Sequence, residues 1–223
     1  MEKKTLNILT TTFKKAEASL ARSWNPGSVF AAIIFLLASL VLNYFAGSYA
    51  TKNASNPVND LILDNLPIVD VSIAFVYGFS AFCIFALALA ARNLQKLPFA
   101  FKTIALFVII RSIFISLTHV APIPDAEINY TYFLFNKIVF NGDLFFSAHV
   151  GLPFLAALLY WNNKKLRIFF LASSFFFGFI VLLGHLHYSI DVFAAFFITY
   201  GIFRLAQYFF KKDYKSFVGS AKI

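Results

Sequence analysis

His187 and Asp191 stand four residues apart in the run His185-Leu186-His187-Tyr188-Ser189-Ile190-Asp191-Val192. On a helix that spacing stacks the two side chains one turn apart on a single face. A carboxylate beside an imidazole fixes its tautomer, raises its basicity and stabilises the cation formed when the other ring nitrogen attacks an electrophile. The pair thus has the make-up of a nucleophile with its orienting partner. His149, in the run Gly142-Asp143-Leu144-Phe145-Phe146-Ser147-Ala148-His149, is a candidate general acid and base if it faces that pair. Arg111 brings a planar guanidinium that can neutralise phosphoryl oxygens, and Ser147 a hydroxyl that can hold them. Asp143 could contact a cation or cap the helix that follows it. Each residue also has a plainer reading: His149 as an interfacial histidine, His187 with Asp191 as a polar pin between helices, Arg111 as a snorkelling side chain. His119 and His185 take the plainer reading.

The elements that must position these residues follow from composition. The 223 residues are 60% hydrophobic and 13% charged, whereas a soluble domain is roughly half apolar and about a quarter charged. That excludes an ordinary soluble domain, and so much apolar surface excludes intrinsic disorder. A membrane-crossing helix needs about 20 apolar residues. Six runs approach that length, at Ser28 to Tyr49, Val71 to Ala91, Phe101 to Ala121, Leu144 to Trp161, Ile168 to Leu183 and Tyr188 to Tyr208. The expected fold is all-α, a polytopic membrane protein built as a bundle of six transmembrane helices. Residues 1–27 form an amphipathic interfacial segment, 28–208 the membrane domain and 209–223 a basic tail. The first run starts too late and is too long for a signal-peptide core, so the mature protein is expected to start near Met1. With Cys83 the only cysteine, an intrachain disulfide and a cysteine zinc site are excluded. No metal or other cofactor is expected.

The net charge of +9 does not point to nucleic acid, because the cations flank the apolar runs instead of gathering on one polar domain. All lysines and arginines except Lys52, Lys137 and Arg111 fall before span one, after spans two and four, or near and after the end of span six. Cytoplasmic flanks retain positive charge, which places both termini in the cytoplasm. Leu6, Leu9, Phe13, Ala16, Leu20 and Trp24 recur at helical spacing with lysines between them, the pattern of a helix lying on an anionic leaflet or on the bundle's cytoplasmic end. All four histidines then fall at the outer ends of spans three to six. Asp60, Asp64, Asp70, Asp125, Glu127 and Asp143 lie in or beside the outer loops, and Asp191 just inside span six. An ionisable group below the membrane surface costs on the order of 2.5 kcal/mol or more unless paired or hydrated, so Arg111 and Asp191 are functional candidates.

The two quoted runs resemble the active-site motifs of sphingomyelin synthases, G-D-x-x-F-S-G-H and H-x-H-Y-[ST]-[VI]-D-V, a branch of the type 2 phosphatidic acid phosphatase (PAP2) superfamily. Arg111 and the later Pro122-Ile123-Pro124 resemble that family's arginine and L-P-x-P stretch, so the likeness covers spans three to six. It implies six spans, an outward-facing site, His187 as nucleophile, Asp191 as its partner and His149 as proton shuttle. Ala148 replaces the family's glycine and adds a methyl group near the site. The lipid phosphatases of the superfamily carry S-R-x5-H-x3-D, and Ile180 and Val181 stand at that serine and arginine here. Their K-x6-R-P motif is also unmatched, with Ile104 and Ser112 at the lysine and proline. A phosphate monoester carries nearly two negative charges and calls for several fixed cations, whereas a diester carries one, so fewer cations favour a diester donor.

The expected activity is therefore transfer of a phospho-headgroup from a glycerophospholipid to a lipid alcohol, ceramide or diacylglycerol-like, through a phosphohistidine on His187. Arg111, Ser147 and Asp143 would serve as the substrate-binding residues. The alternatives are a PAP2-type lipid phosphatase that uses water as acceptor, and a proton-coupled lipid or ion transporter, which would require matching polar groups deeper in the bundle. Short outer loops favour the bacterial inner membrane, with the site on the extracytoplasmic face.

Overall fold

The computed structural model describes residues 26–124 and 143–219; its regular elements are all helical, with no strand among the described residues. Six helices occupy the apolar runs: α1 (Pro26–Lys52), α2 (Phe79–Ala91), α3 (Leu97–Leu117), α4 (Ala148–Leu159), α5 (Lys164–Leu183) and α6 (Ser189–Phe209). A short α7 (Lys211–Gly219) follows within the basic tail. A π-turn at Ala74–Gly78 leads into α2, and with it counted five helices are long and apolar enough to cross a membrane. The exception is α4, whose 12 residues reach ~18 Å, short of a hydrocarbon core of about 30 Å. Among the described residues the six expected runs thus appear as five helices of full crossing length and one shorter apolar helix. The expected amphipathic helix before span one lies outside the described residues.

Local chemistry explains the shifted boundaries. Asn163 accepts the Leu166 N–H at 3.2 Å and so starts α5 at Lys164, ahead of the apolar run at Ile168. Pro98 sits in the first turn of α3, where its missing N–H has no intrahelical partner to lose. The helix ends when Thr118 turns extended. It therefore runs four residues earlier than the apolar stretch suggests, and Arg111 stands in its last third instead of its middle. Residues 143–147 are not helical, which is why α4 begins at Ala148 and not at Leu144.

At one end of the bundle, the starts of α1 and α3 meet α7: Lys102 Nζ lies 2.7 Å from Asp213 and 3.3 Å from Ser28 Oγ. The opposite end gathers residues 143–147, the α5–α6 turn and the connection that precedes α2. Between them lies a core of Phe107, Phe146, Val150, Leu155, Val181, Val192 and Ile202. Gly151 lets α4 approach closely there, since a Cβ would stand 2.7 Å from the Phe107 ring and 2.9 Å from Thr199 Oγ1. Outward, Phe30, Ile84, Phe175 and Phe197 are exposed along the helices. Apolar surface on that scale is stable against lipid and not against water, so the chain is an integral membrane protein.

Candidate active site

The turn between α5 and α6 carries His185 and His187. Helix α5 closes in a Schellman motif: the Leu186 N–H donates to the Val181 carbonyl at 2.9 Å and the His185 N–H to the Leu182 carbonyl at 3.1 Å. Such a motif needs a left-handed residue just after the helix, and His185 supplies it with φ 52°. Its Nε2 lies 3.2 Å from the Leu66 carbonyl oxygen, so His185 shapes the turn and ties it to the connection before α2. Gly184 permits this tie, because a Cβ there would come within 2.4 Å of Val71.

His187 lies just before α6, not on it, with Tyr188 as N-cap. The expected pairing along one helical face is corrected: the contact forms across the cap. Asp191, in the first turn, accepts the Tyr188 N–H on Oδ2 at 3.0 Å, and the same oxygen lies 3.5 Å from His187 Nδ1. Both side chains are buried. The first turn of α6 is also reached from elsewhere in the chain. Asp60 Oδ2 accepts the Ser189 N–H at 2.6 Å, and the Tyr188 hydroxyl donates to the Ala121 carbonyl at 3.0 Å. Burial alone would raise the Asp60 carboxyl; hydrogen bonds from Ser189, Leu63 and Ile62 outweigh it and hold it below the ordinary 3.8.

The second motif meets the first directly, since the Ser147 N–H donates to the Asp191 carbonyl at 3.1 Å. That bond fixes the start of α4 against the first turn of α6. His149, second residue of α4, brings its ring centroid within 6.5 Å of that of His187. Its ring packs against those of Phe75 and Phe79, each with its centroid 4.1 Å away, one stacked at 28° and the other tilted at 46°. The π-turn and the start of α2 thereby form an aromatic clamp on His149. Pro153 lacks the N–H that would bond the His149 carbonyl within the helix.

Arg111 spreads its guanidinium over the segment before α4. Its Nε donates to the Phe146 carbonyl at 2.7 Å and its Nη2 to the Asp143 carbonyl at 2.9 Å, while Nη1 pairs with the Asp143 carboxylate. The fork holds this segment out of helical form and gives the buried charge a partner. His119 is exposed at the end of the chain's third span, edge-on to Tyr49, and no contact joins it to the other histidines. Two buried polar atoms of the site, Ser147 Oγ and His187 Nδ1, have no hydrogen-bond partner among the described residues.

His149, His187, Asp191, Ser147, Arg111 and Asp143 thus occupy one end of the bundle. No three of the described His, Cys, Asp or Glu side chains converge as a metal site. Phe75, Phe79 and Asp60 are neighbours that sequence reasoning did not assign. Among 31 phenylalanines no pattern singles out two, and Asp60 is far from α6 along the chain.

A family model described as PAP2 superfamily C-terminal matches residues 141–208, the stretch that holds both motifs and α4 to α6. The match supports a place in the PAP2 superfamily and, in general terms, a lipid enzyme of the phosphatase or phosphotransferase type. No curated protein and no solved structure matches the chain.

Proposed function

We propose that the protein is a membrane lipid phosphotransferase that moves a phospho-headgroup from a glycerophospholipid to a ceramide- or diacylglycerol-like alcohol, as in sphingomyelin synthases. One observation carries this reading: two imidazoles 6.5 Å apart at their centroids, one backed by a carboxylate, close enough for both to touch one phosphoryl group. Asp191 on the Nδ1 side favours the Nδ1–H tautomer of His187 and leaves the Nε2 lone pair free. That lone pair attacks phosphorus, the P–O bond to diacylglycerol breaks, and the departing oxygen takes a proton from the His149 imidazolium. The acceptor hydroxyl then returns a proton to His149 as its oxygen attacks phosphorus and the P–N bond breaks. Both histidines end as they began.

Ser147 Oγ, buried without a partner among the described residues, can donate to a non-bridging oxygen. The N-terminus of α4, which no described side chain caps, attracts the same charge. Arg111 adds positive charge nearby: three of its five N–H groups are engaged by Phe146 and Asp143, which fixes the guanidinium in place while its charge still acts on a phosphate. With its charge shared with Asp143, the site suits a singly charged diester better than a monoester. The site faces the extracytoplasmic side, opposite Lys102 and the basic tail, in keeping with retention of positive charge in the cytoplasm.

The test is to give the purified protein a headgroup-labelled phospholipid with and without ceramide. Ceramide-dependent appearance of label in a new lipid is expected, and His187→Ala should abolish it. Release of free headgroup phosphate regardless of ceramide would assign the PAP2-type phosphatase instead. Undiminished transfer by His187→Ala would remove the mechanism.

A further inference from the structure

We infer that Asp60 is a positioning residue for His187: from the connection before α2, its carboxylate holds the first turn of α6 and so sets the His187–Asp191 geometry. The inference rests on the phosphotransfer reading for its effect on rate, and on the hydrogen bonds at the start of α6 alone for its effect on geometry.

A helix N-terminus leaves its first N–H groups without intrahelical partners. In α6 two carboxylates divide them. Asp191 takes the Tyr188 N–H at 3.0 Å, and Asp60 takes the Ser189 N–H at 2.6 Å. The division matters because Asp191 Oδ2 also faces His187 Nδ1. Without Asp60, the Ser189 N–H would be left for Asp191, the acidic side chain of the same turn, and the oxygen facing the imidazole would be drawn away.

Asp60 is itself held in place. Its Oδ1 accepts the Ile62 and Leu63 N–H groups at 2.9 and 3.2 Å, and it is 8% exposed. The surrounding connection is pinned to the same turn: the Val69 N–H donates to the Leu183 carbonyl at 2.9 Å and the Val58 N–H to the Tyr188 hydroxyl at 3.3 Å. A carboxylate anchored on one oxygen and bonded to α6 through the other is a strut between two segments, and no neutral isostere keeps both oxygens as acceptors.

Two variants remove the strut from opposite sides. Asp60→Asn leaves one acceptor oxygen in an unchanged volume. Ser189→Pro deletes the donor at a position next to the N-cap, where proline fits, and Tyr188, with φ −67° and ψ 155°, already has the backbone that a residue before proline adopts. Headgroup transfer should fall about 10- to 100-fold in kcat with KM for the donor lipid little changed, as expected of a small misplacement of reacting groups. The double variant should be no slower than the slower single one. In parallel, the ring 15N shifts of His187 and amide exchange over residues 185–192 should change in both variants. Multiplying kcat losses in the double variant, or ring shifts and exchange like the wild type's, would overturn the inference. Were His187→Ala fully active in the same assay, the phosphotransfer reading would fall instead, and the ring and exchange measurements would then decide the positioning role by themselves.

Discussion

The two ends of the bundle use carboxylates in opposite ways. At the end where α7 docks, Asp213 meets the Lys102 ammonium and the Ser28 hydroxyl, so charge meets charge. At the other end, Asp191 and Asp60 are met by backbone N–H groups, and polar atoms of Ser147 and His187 are left over. An ion pair holds helices together and finishes there. Carboxylates satisfied by the backbone fix a turn without consuming the side chains it presents, and unsatisfied buried groups have a cost that an active site can turn to use. Arg111 with Asp143 shares both characters: a paired charge, yet one whose other donors shape the segment leading to His149.

The contrast predicts that removing a carboxylate at one end abolishes chemistry and at the other leaves it alone. Asp191→Asn should lower headgroup transfer by about 10³- to 10⁴-fold, the scale of losing the orienting carboxylate of a catalytic histidine. The protein should still extract into detergent as a folded species with an unchanged chromatographic profile. His149→Ala should cost about 10²- to 10⁴-fold, the usual range for a general acid–base. Full activity in either would show that this end is as purely structural as the other.

A finer cut concerns the aromatic clamp. Phe75→Ala or Phe79→Ala frees one face of the His149 ring; kcat should drop about 10- to 100-fold, with the affinity for donor lipid retained. Phe75→Leu fills much of the volume without a ring, so a loss there as well would assign the effect to aromatic stacking, worth about 0.5–1.5 kcal/mol, over simple packing. Equal, near-wild-type rates in all three variants would reduce the clamp to a wall.

The architecture was legible from hydropathy, because lipid imposes a long apolar helix wherever the backbone is exposed to it. The pairing of His187 with Asp191 was legible in their spacing, though through the wrong local structure: four residues separate them equally across an N-cap and along a helix. Hydropathy misplaced α3 by four residues because it counts apolar character and not the proline at the start or the extended Thr118 at the end. The same shift put Arg111 at mid-membrane in the sequence and near the site in the structure. The shortness of α4 was hidden because Leu144, Phe145 and Phe146 are as apolar as the helix they precede, and the bonds that hold the segment, from the Arg111 guanidinium and from the Ser147 N–H to the Asp191 carbonyl, join it to other spans. Asp60 was visible as an outer acid, but its link to Ser189 spans 129 residues, and nothing local encodes it.

Lys102→Ala should leave headgroup transfer unchanged and lower stability by at most about 1 kcal/mol, since the partly exposed pair with Asp213 is of the kind whose contribution is small. Thermal unfolding in detergent, followed beside activity, checks both halves. A loss of transfer without unfolding would couple the two ends.

The smallest effect expected is one of pH, and it concerns Asp60. Asp60 titrates below its ordinary 3.8 in the folded chain, so the unfolded state binds its proton more readily. Its contribution to stability is therefore fully present above that ordinary value and disappears as pH falls through the lower folded-state value. Between pH 5 and 8 it should be flat. The melting temperature of the wild type, scanned from pH 6 down to pH 3 in a non-ionic detergent, should decline more steeply than that of Asp60→Asn, because the variant has already lost the titrating group. Parallel curves would mean that the hydrogen bonds from Ser189, Ile62 and Leu63 do not favour the charged carboxylate. The α6 cap would then be held by Asp191 without help from the other segment.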